Sequence, residues 1–161
     1  MIKGLFIEDD DDNVASYSRR FKLQGIELIT PKSFPSSPDG FWNIALENDV
    51  DFIIIDNHLH KKSVKYSGLD VLKEIRKQDS EIYIMYLTSK GISREHCVLS
   101  NFDLEIDKND FSESFETISK RIKRATSREL AIKNEREINK LTETQEEYYK
   151  QRLEMLRKIL G

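Results

Sequence analysis

An open parallel β-sheet with α-helices on both faces is the fold this sequence predicts, on three observations. Through the first 110 residues, short apolar runs recur without polar alternation, as expected of strands buried on both faces. Stretches with helical spacing separate them and supply the crossovers that parallel strands require. After residue 110 the composition changes abruptly, so the sheet ends there and something else begins.

The predicted strands are "IKGLFI" (2–7), "IELI" (26–29), "DFIIID" (51–56), "IYIMYL" (82–87) and the weaker "DLEID" (103–107). Helical spacing marks 12–24, 41–48 and 68–78, the last with Leu69, Leu72, Ile75 and Arg76 behind the turn "YSG". A further short helix is expected over 92–99. Pro31, Pro35 and Pro38 fall in one loop with Ser33, Ser36, Ser37 and Gly40, which gives the second connection an irregular start.

Residues 1–110 carry 14 Lys and Arg against 20 Asp and Glu, a net of −6, whereas residues 111–161 carry 12 against 9, a net of +3. Between Gly91 and Gly161 there is no glycine, and no proline follows Pro38. Four Glu/Lys pairs, Glu116/Lys120, Glu129/Lys133, Glu146/Lys150 and Glu154/Lys158, stand at i,i+4 in the favourable order. A continuous helix from Phe111 is therefore predicted, about 75 Å long at about 1.5 Å per residue. Phe111, Phe115, Ile118, Ile122 and Ala125 form a first apolar stripe for docking on the sheet or a partner. Tyr149, Leu153, Leu156 and Leu160 form a second, which suits a coiled coil. Ile132, Ile138 and Leu141 do not hold one heptad phase.

With 38% hydrophobic residues the chain can build one core, and 34% charged residues with a net charge of −3 fit a water-soluble protein. No apolar run approaches the roughly 20 residues of a membrane span, so no membrane span and a cytoplasmic location are expected. Cys97 stands alone, which excludes an intrachain disulfide and a thiolate zinc cluster.

In open parallel sheets, ligands bind beyond the carboxyl ends of the strands. Those ends carry Glu8 and Asp9, Asp56, Thr88 and Ser89, and Lys108. Three neighbouring carboxylates suppress one another's ionisation unless a cation neutralises them, and oxygen-only ligands select a hard ion such as Mg²⁺. Thr88 can donate to a phosphoryl oxygen, and Lys108 can neutralise another. An aspartate can act as the nucleophile and form an acyl phosphate, for which Asp56 is best placed.

Together, "LFIEDDDDN", "VDFIIIDNHL", "SGLDVLKEIRK", "IYIMYLTS" and "IDKND" resemble, in order and spacing over residues 1 to about 125, the signatures of the receiver domain of two-component response regulators. The resemblance implies a flavodoxin-like five-stranded sheet in the order 2-1-3-4-5 and phosphotransfer from a histidine kinase or phosphotransfer protein to Asp56. It also implies Mg²⁺ at Glu8, Asp9, Asp56 and the main-chain carbonyl of His58, with Thr88 and Lys108 as phosphate sensors. A receiver is a phosphoacceptor signalling domain and not a conventional enzyme. Five positions depart from the family pattern. Glu8 stands where aspartate is commoner, and Leu59-His60 replaces Met-Pro. Asn109 follows the lysine in place of proline, and Glu105 occupies the aromatic switch position.

Several features have plainer readings. Asp10, Asp11 and Asp12 suit a helix start, where acids meet the positive dipole end. An EF-hand fails, because counting from Asp9 its glycine position holds Val14 and its closing glutamate position Arg20. His58 and His60 lack a third metal ligand and read as loop residues near the site; Trp42 and Phe41 read as core. Lys120, Arg121, Lys123, Arg124 and Arg128 form a solvated face diluted by acids, so no nucleic-acid partner is expected.

The expected organisation is a receiver over 1–125 and a helical extension over 126–161 that forms a homodimer or leads to a downstream output domain. The alternatives are a phosphorylation-independent scaffold and the amino-terminal part of a larger signalling enzyme.

Overall fold

The computed structural model describes residues 1–88 and 102–160, the side chain of Glu129 excepted. The short helix expected over 92–99, with Ser89, His96 and Cys97, lies outside the described residues. The elements are β1 (Ile2–Ile7), α1 (Asp11–Leu23), β2 (Ile26–Ile29), α2 (Gly40–Glu47), β3 (Phe52–Asp56), a 3-10 turn (His60–Lys62), α3 (Gly68–Gln78), β4 (Tyr83–Thr88), β5 (Leu104–Asp107), α4 (Lys108–Glu113) and α5 (Phe115–Leu160). All five strands pair in parallel in the order β2-β1-β3-β4-β5. This is the open sheet that the apolar runs predict.

Alternation along the strands divides the interior into two cores. Leu5, Ile7, Ile53, Ile55, Ile84 and Tyr86 face α2 and α3, where they meet Phe41, Ala45, Val71, Leu72 and Ile75. Phe6, Phe52, Ile54, Met85 and Leu87 face the other way, onto Phe21 of α1, Phe111 of α4, and Phe115, Ile118 and Ile122 of α5. Each fully buried apolar side chain of this size contributes about 1.5–3 kcal/mol of transfer free energy, which is why β3, with Phe52, Ile53, Ile54 and Ile55 all buried, anchors the sheet. Trp42 lies partly buried against the first core. Gly25, at φ 79°, makes the left-handed turn that releases α1 into β2.

The carboxyl-terminal helix departs from expectation at its start. Helix begins at Lys108, not Phe111, because the Asp107 carboxylate accepts from the Asn109 amide at 2.8 Å and caps α4. It then breaks at Ser114 (φ −97°, ψ 19°) before α5 begins. The first stripe is buried as expected through Ile122, with Ala125 half-buried.

By its internal contacts the chain divides into a unit spanning Met1–Thr126 and a second beginning at Ser127. In the second, every described side chain up to Leu160 is exposed, including Tyr149, Leu153, Leu156 and Leu160.

Candidate functional site

Parallel register brings the strand ends to one edge. Ile7 pairs with Ile55, so Glu8 and Asp9 follow β1 beside Asp56 at the end of β3; Thr88 pairs with Asp107, which places Lys108 just beyond. All of the acids are withdrawn from solvent: Glu8 is 2% exposed, Asp9 6% and Asp56 0%, and Thr88 is buried with them. Glu8, Asp9 and Asp56 each offer an oxygen within 4.8 Å of the others, the only three-residue group of this kind among the described residues.

The Lys108 ammonium lies 2.6 Å from Asp56 Oδ2 and 3.8 Å from Glu8 Oε2. Burial works to lower the lysine pKa, but the Asp56 hydrogen bond and the surrounding carboxylates outweigh it and raise it. Asp56 Oδ1 accepts from the His58 amide at 3.2 Å. Glu8 Oε1 accepts from the amides of Asp9 (3.1 Å) and Asp10 (3.2 Å), whereas Oε2 is buried without a hydrogen-bond partner. A buried carboxylate oxygen left in that state costs free energy unless a proton or a cation meets it.

Burial, followed by the Asp56 carboxylate beside it, pushes the Glu8 carboxyl from 4.5 up to about 9. A raised carboxyl pKa means that the folded chain keeps a proton which the unfolded chain releases. The resulting stabilisation is fully present below pH 4.5 and is lost as the pH rises through about 9. In buffer free of divalent ions, Glu8→Gln should therefore flatten this decline and stabilise the chain at pH 8 by about 1–3 kcal/mol, measured by urea unfolding at pH 5 and pH 8. Equal pH dependence in both proteins would contradict this account of Glu8.

The outer half of the acidic run has a different task. Asp10 caps α1 by accepting from the amides of Asp12 and Asn13, and Asp11 and Asp12 lie in the first turn. Three contacts escape sequence reasoning. Lys61 and Lys62, in the 3-10 turn after Asp56, pair with Asp10 at 2.7 Å and with Asp11 at 2.8 Å, and the Lys61 amide donates to Asp9 Oδ2 at 3.1 Å. The hydrogen bond to Lys61 holds the Asp10 carboxyl below its usual range. Partners 51 or 52 residues apart leave no periodic or motif signal, which is why they stay hidden until the fold is known.

His58 and His60 have rings 6.1 Å apart, and no described carboxylate or thiol joins them as a third ligand. The Thr88 hydroxyl donates to Glu105 Oε1 at 3.5 Å, and Tyr86 donates to Asn57 Oδ1 while stacking on Phe102. The buried carboxylate, the adjoining ammonium and the nearby hydroxyl equip this edge to receive a transferable anionic group beside a hard cation.

No protein-family model matches the chain. The response regulator SaeR of Staphylococcus aureus is 25% identical over 152 residues, which cover 94% of this chain and 55% of that protein. The chain thus spans about half the length of the curated relatives it matches. A response regulator receiver domain from Clostridium thermocellum aligns with a TM-score of 0.64 at 23% identity, covering 82% of this chain and 99% of that one. The receiver domain of the sensor histidine kinase PA1611 from Pseudomonas aeruginosa, with magnesium coordinated in its active-site cleft, aligns at 0.59 and 19%, covering 74% and 95%. The response regulator TrrA, in complex with the histidine kinase ThkA, aligns at 0.61 and 20%, covering 76% and 98%.

Proposed function

We propose that this chain, a receiver domain of the response-regulator kind, accepts a phosphoryl group on Asp56 from a histidine kinase or phosphotransfer protein. The observation that carries the reading is the Asp56 carboxylate, fully buried between the Lys108 ammonium at 2.6 Å and two further acids. An Asp56 oxygen attacks phosphorus and the bond from phosphorus to the donor imidazole breaks. The imidazole keeps the electron pair and takes up a proton. Lys108 neutralises charge on the transferring oxygens, and Thr88, leaving Glu105, donates to one of them.

Glu8, Asp9 and Asp56 fit a hard cation because Glu8 Oε2 is a buried oxygen with no hydrogen bond. We assign them to Mg²⁺, with the His58 carbonyl as a further ligand; when bound, the ion offsets the negative charge gathering at Asp56. The Mg²⁺ reported in the cleft of the Pseudomonas receiver and the kinase bound to TrrA support the cofactor and the class of partner.

In this reading residues 1–125 form the receiver and 126–161 carry its output, either by pairing with a second copy through the exposed stripe at Tyr149, Leu153, Leu156 and Leu160 or by leading to an output domain. No helix among the described residues is long and apolar enough to cross a membrane, and we place the chain in the cytoplasm with its kinase.

Intact mass after incubation with acetyl phosphate and Mg²⁺ tests the chemistry, with light scattering on the same samples reporting assembly. One added phosphoryl group is expected, and withholding Mg²⁺ should slow its addition at least about tenfold. A wild-type chain that takes no label would instead support a phosphorylation-independent scaffold, which the carboxylate of Glu105 beside Thr88 favours.

A further inference from the structure

Three contacts converge where α4 gives way to α5. Arg20, in the last turns of α1, donates from Nη1 to Ser112 Oγ at 3.2 Å and from Nη2 to the Ser112 carbonyl at 2.9 Å. Its guanidinium carbon also lies 4.4 Å from the centroid of the Phe115 ring. Ser112 belongs to the last turn of α4, and its carbonyl is one that a helix end leaves without an internal partner; a cation there also meets the negative end of the helix dipole. Phe115 is the first residue of α5. One side chain therefore grips both sides of the break at Ser114.

The surroundings make this grip rigid. Tyr17 packs edge-on against Phe111 at 4.6 Å, and Phe21 contacts Phe115 at 4.5 Å and Phe111 at 5.9 Å. Across the break, Ser114 N donates to the Asp110 carbonyl at 2.8 Å and Ile118 N to the Ser114 carbonyl at 3.0 Å. At the other end of α4, its first residue is Lys108, bonded to Asp56. Six helical residues, about 9 Å of rise, thus join the phosphoacceptor's partner to the point that Arg20 holds. The amino end of α1 is tied to the same site through Asp10 and Asp11, which pair with Lys61 and Lys62.

We propose that Arg20 is the joint through which the state of Asp56 reaches α5. By capping α4 and holding Phe115, it makes a displacement of Lys108 move the first turn of α5, where an ungripped break at Ser114 would absorb it. This route runs along α1 and α4 and does not require an aromatic residue at position 105. It rests on the reading of Asp56 as the phosphoacceptor.

Amide hydrogen exchange of residues 110–122 in the full chain, with and without acetyl phosphate and Mg²⁺, tests it on wild type and Arg20→Met. Without phosphodonor, losing a charged hydrogen bond at the break should speed exchange at Ser114 and Ile118 by about tenfold. With phosphodonor, wild type should change its exchange there by about fivefold or more, whereas Arg20→Met should take the same label and change by less than about twofold. A variant that responds to phosphorylation as wild type does would overturn the proposal, as would unaltered exchange at the break without phosphodonor. A wild-type chain that takes no label removes the phosphoacceptor reading and the relay with it. The comparison without phosphodonor distinguishes that failure from a failure of the joint itself.

Discussion

Asp56→Asn is expected to reduce phosphoryl incorporation to background, at least about a hundredfold below wild type, while leaving the fold in place. The amide is nearly isosteric with the carboxylate. Its oxygen can still accept from the His58 amide, a contact of 3.2 Å in the native chain. What disappears is the oxygen proposed as nucleophile at the end of β3 and the charge that Lys108 meets at 2.6 Å. Lys108 keeps a second partner in Glu8 Oε2 at 3.8 Å, so it is not stranded. Removing the Asp56 charge also withdraws a repulsion that helps, after burial, to raise Glu8, which should ionise at lower pH as a result. Melting should shift by only a few degrees, roughly the scale of 1 kcal/mol in a domain of this size. Intact mass reads the chemistry and a thermal melt reads the fold. Equal labelling of the variant would place the acceptor elsewhere.

Gly68→Ala should have a large effect of the opposite kind, on structure first. A methyl group at this position would lie 2.0 Å from the Asp56 carbonyl oxygen, 2.8 Å from its carbonyl carbon and 3.0 Å from Asn57 Cα, all backbone atoms of the chain leaving β3. The same backbone is fixed by the hydrogen bond from Gly68 N to the Asn57 carbonyl at 3.0 Å and from Asn57 N to the Leu87 carbonyl at 3.1 Å. Alanine at an unhindered site would stabilise through the unfolded chain by about 0.4–1 kcal/mol, so the sign of the result is itself informative. Here the clash dominates, and about 3 kcal/mol of destabilisation is expected, a fall in melting temperature of about 10 °C. Asp56 would shift with its carbonyl, so labelling should fall as well. An unchanged melting temperature would refute this account of the contact.

Much of the molecule is legible in the sequence for physical reasons. "DFIIID" and "IYIMYL" announce strands buried on both faces because no polar residue interrupts them, and from there parallel pairing and the edge holding Glu8, Asp9, Asp56, Thr88 and Lys108 follow. The helix break at Ser114 is hidden because no glycine or proline marks it; it depends on a cap formed by Asp107 and on packing by residues nearly a hundred positions earlier. The 3-10 turn pairs escape for the same reason, since Lys61 and Lys62 look like any charged loop. Gly68 reads from sequence as a turn residue before a helix, and only the fold reveals how close its neighbour's backbone comes.

The Lys61 and Lys62 pairs also bear on how an anionic donor would meet the proposed site. A phosphodonor is an anion, and the outward acids of the run, Asp10, Asp11 and Asp12, would repel it over a distance of about one Debye length, roughly 8 Å at physiological ionic strength. The two lysines pair with Asp10 and Asp11 at the rim, so the acids left for the proposed cation are the buried ones, Glu8, Asp9 and Asp56, with Lys108 beside them. If Asp56 is the phosphoacceptor, the acidic run is thus divided by depth, its outer acids partly offset by lysines and its inner ones kept for an ion.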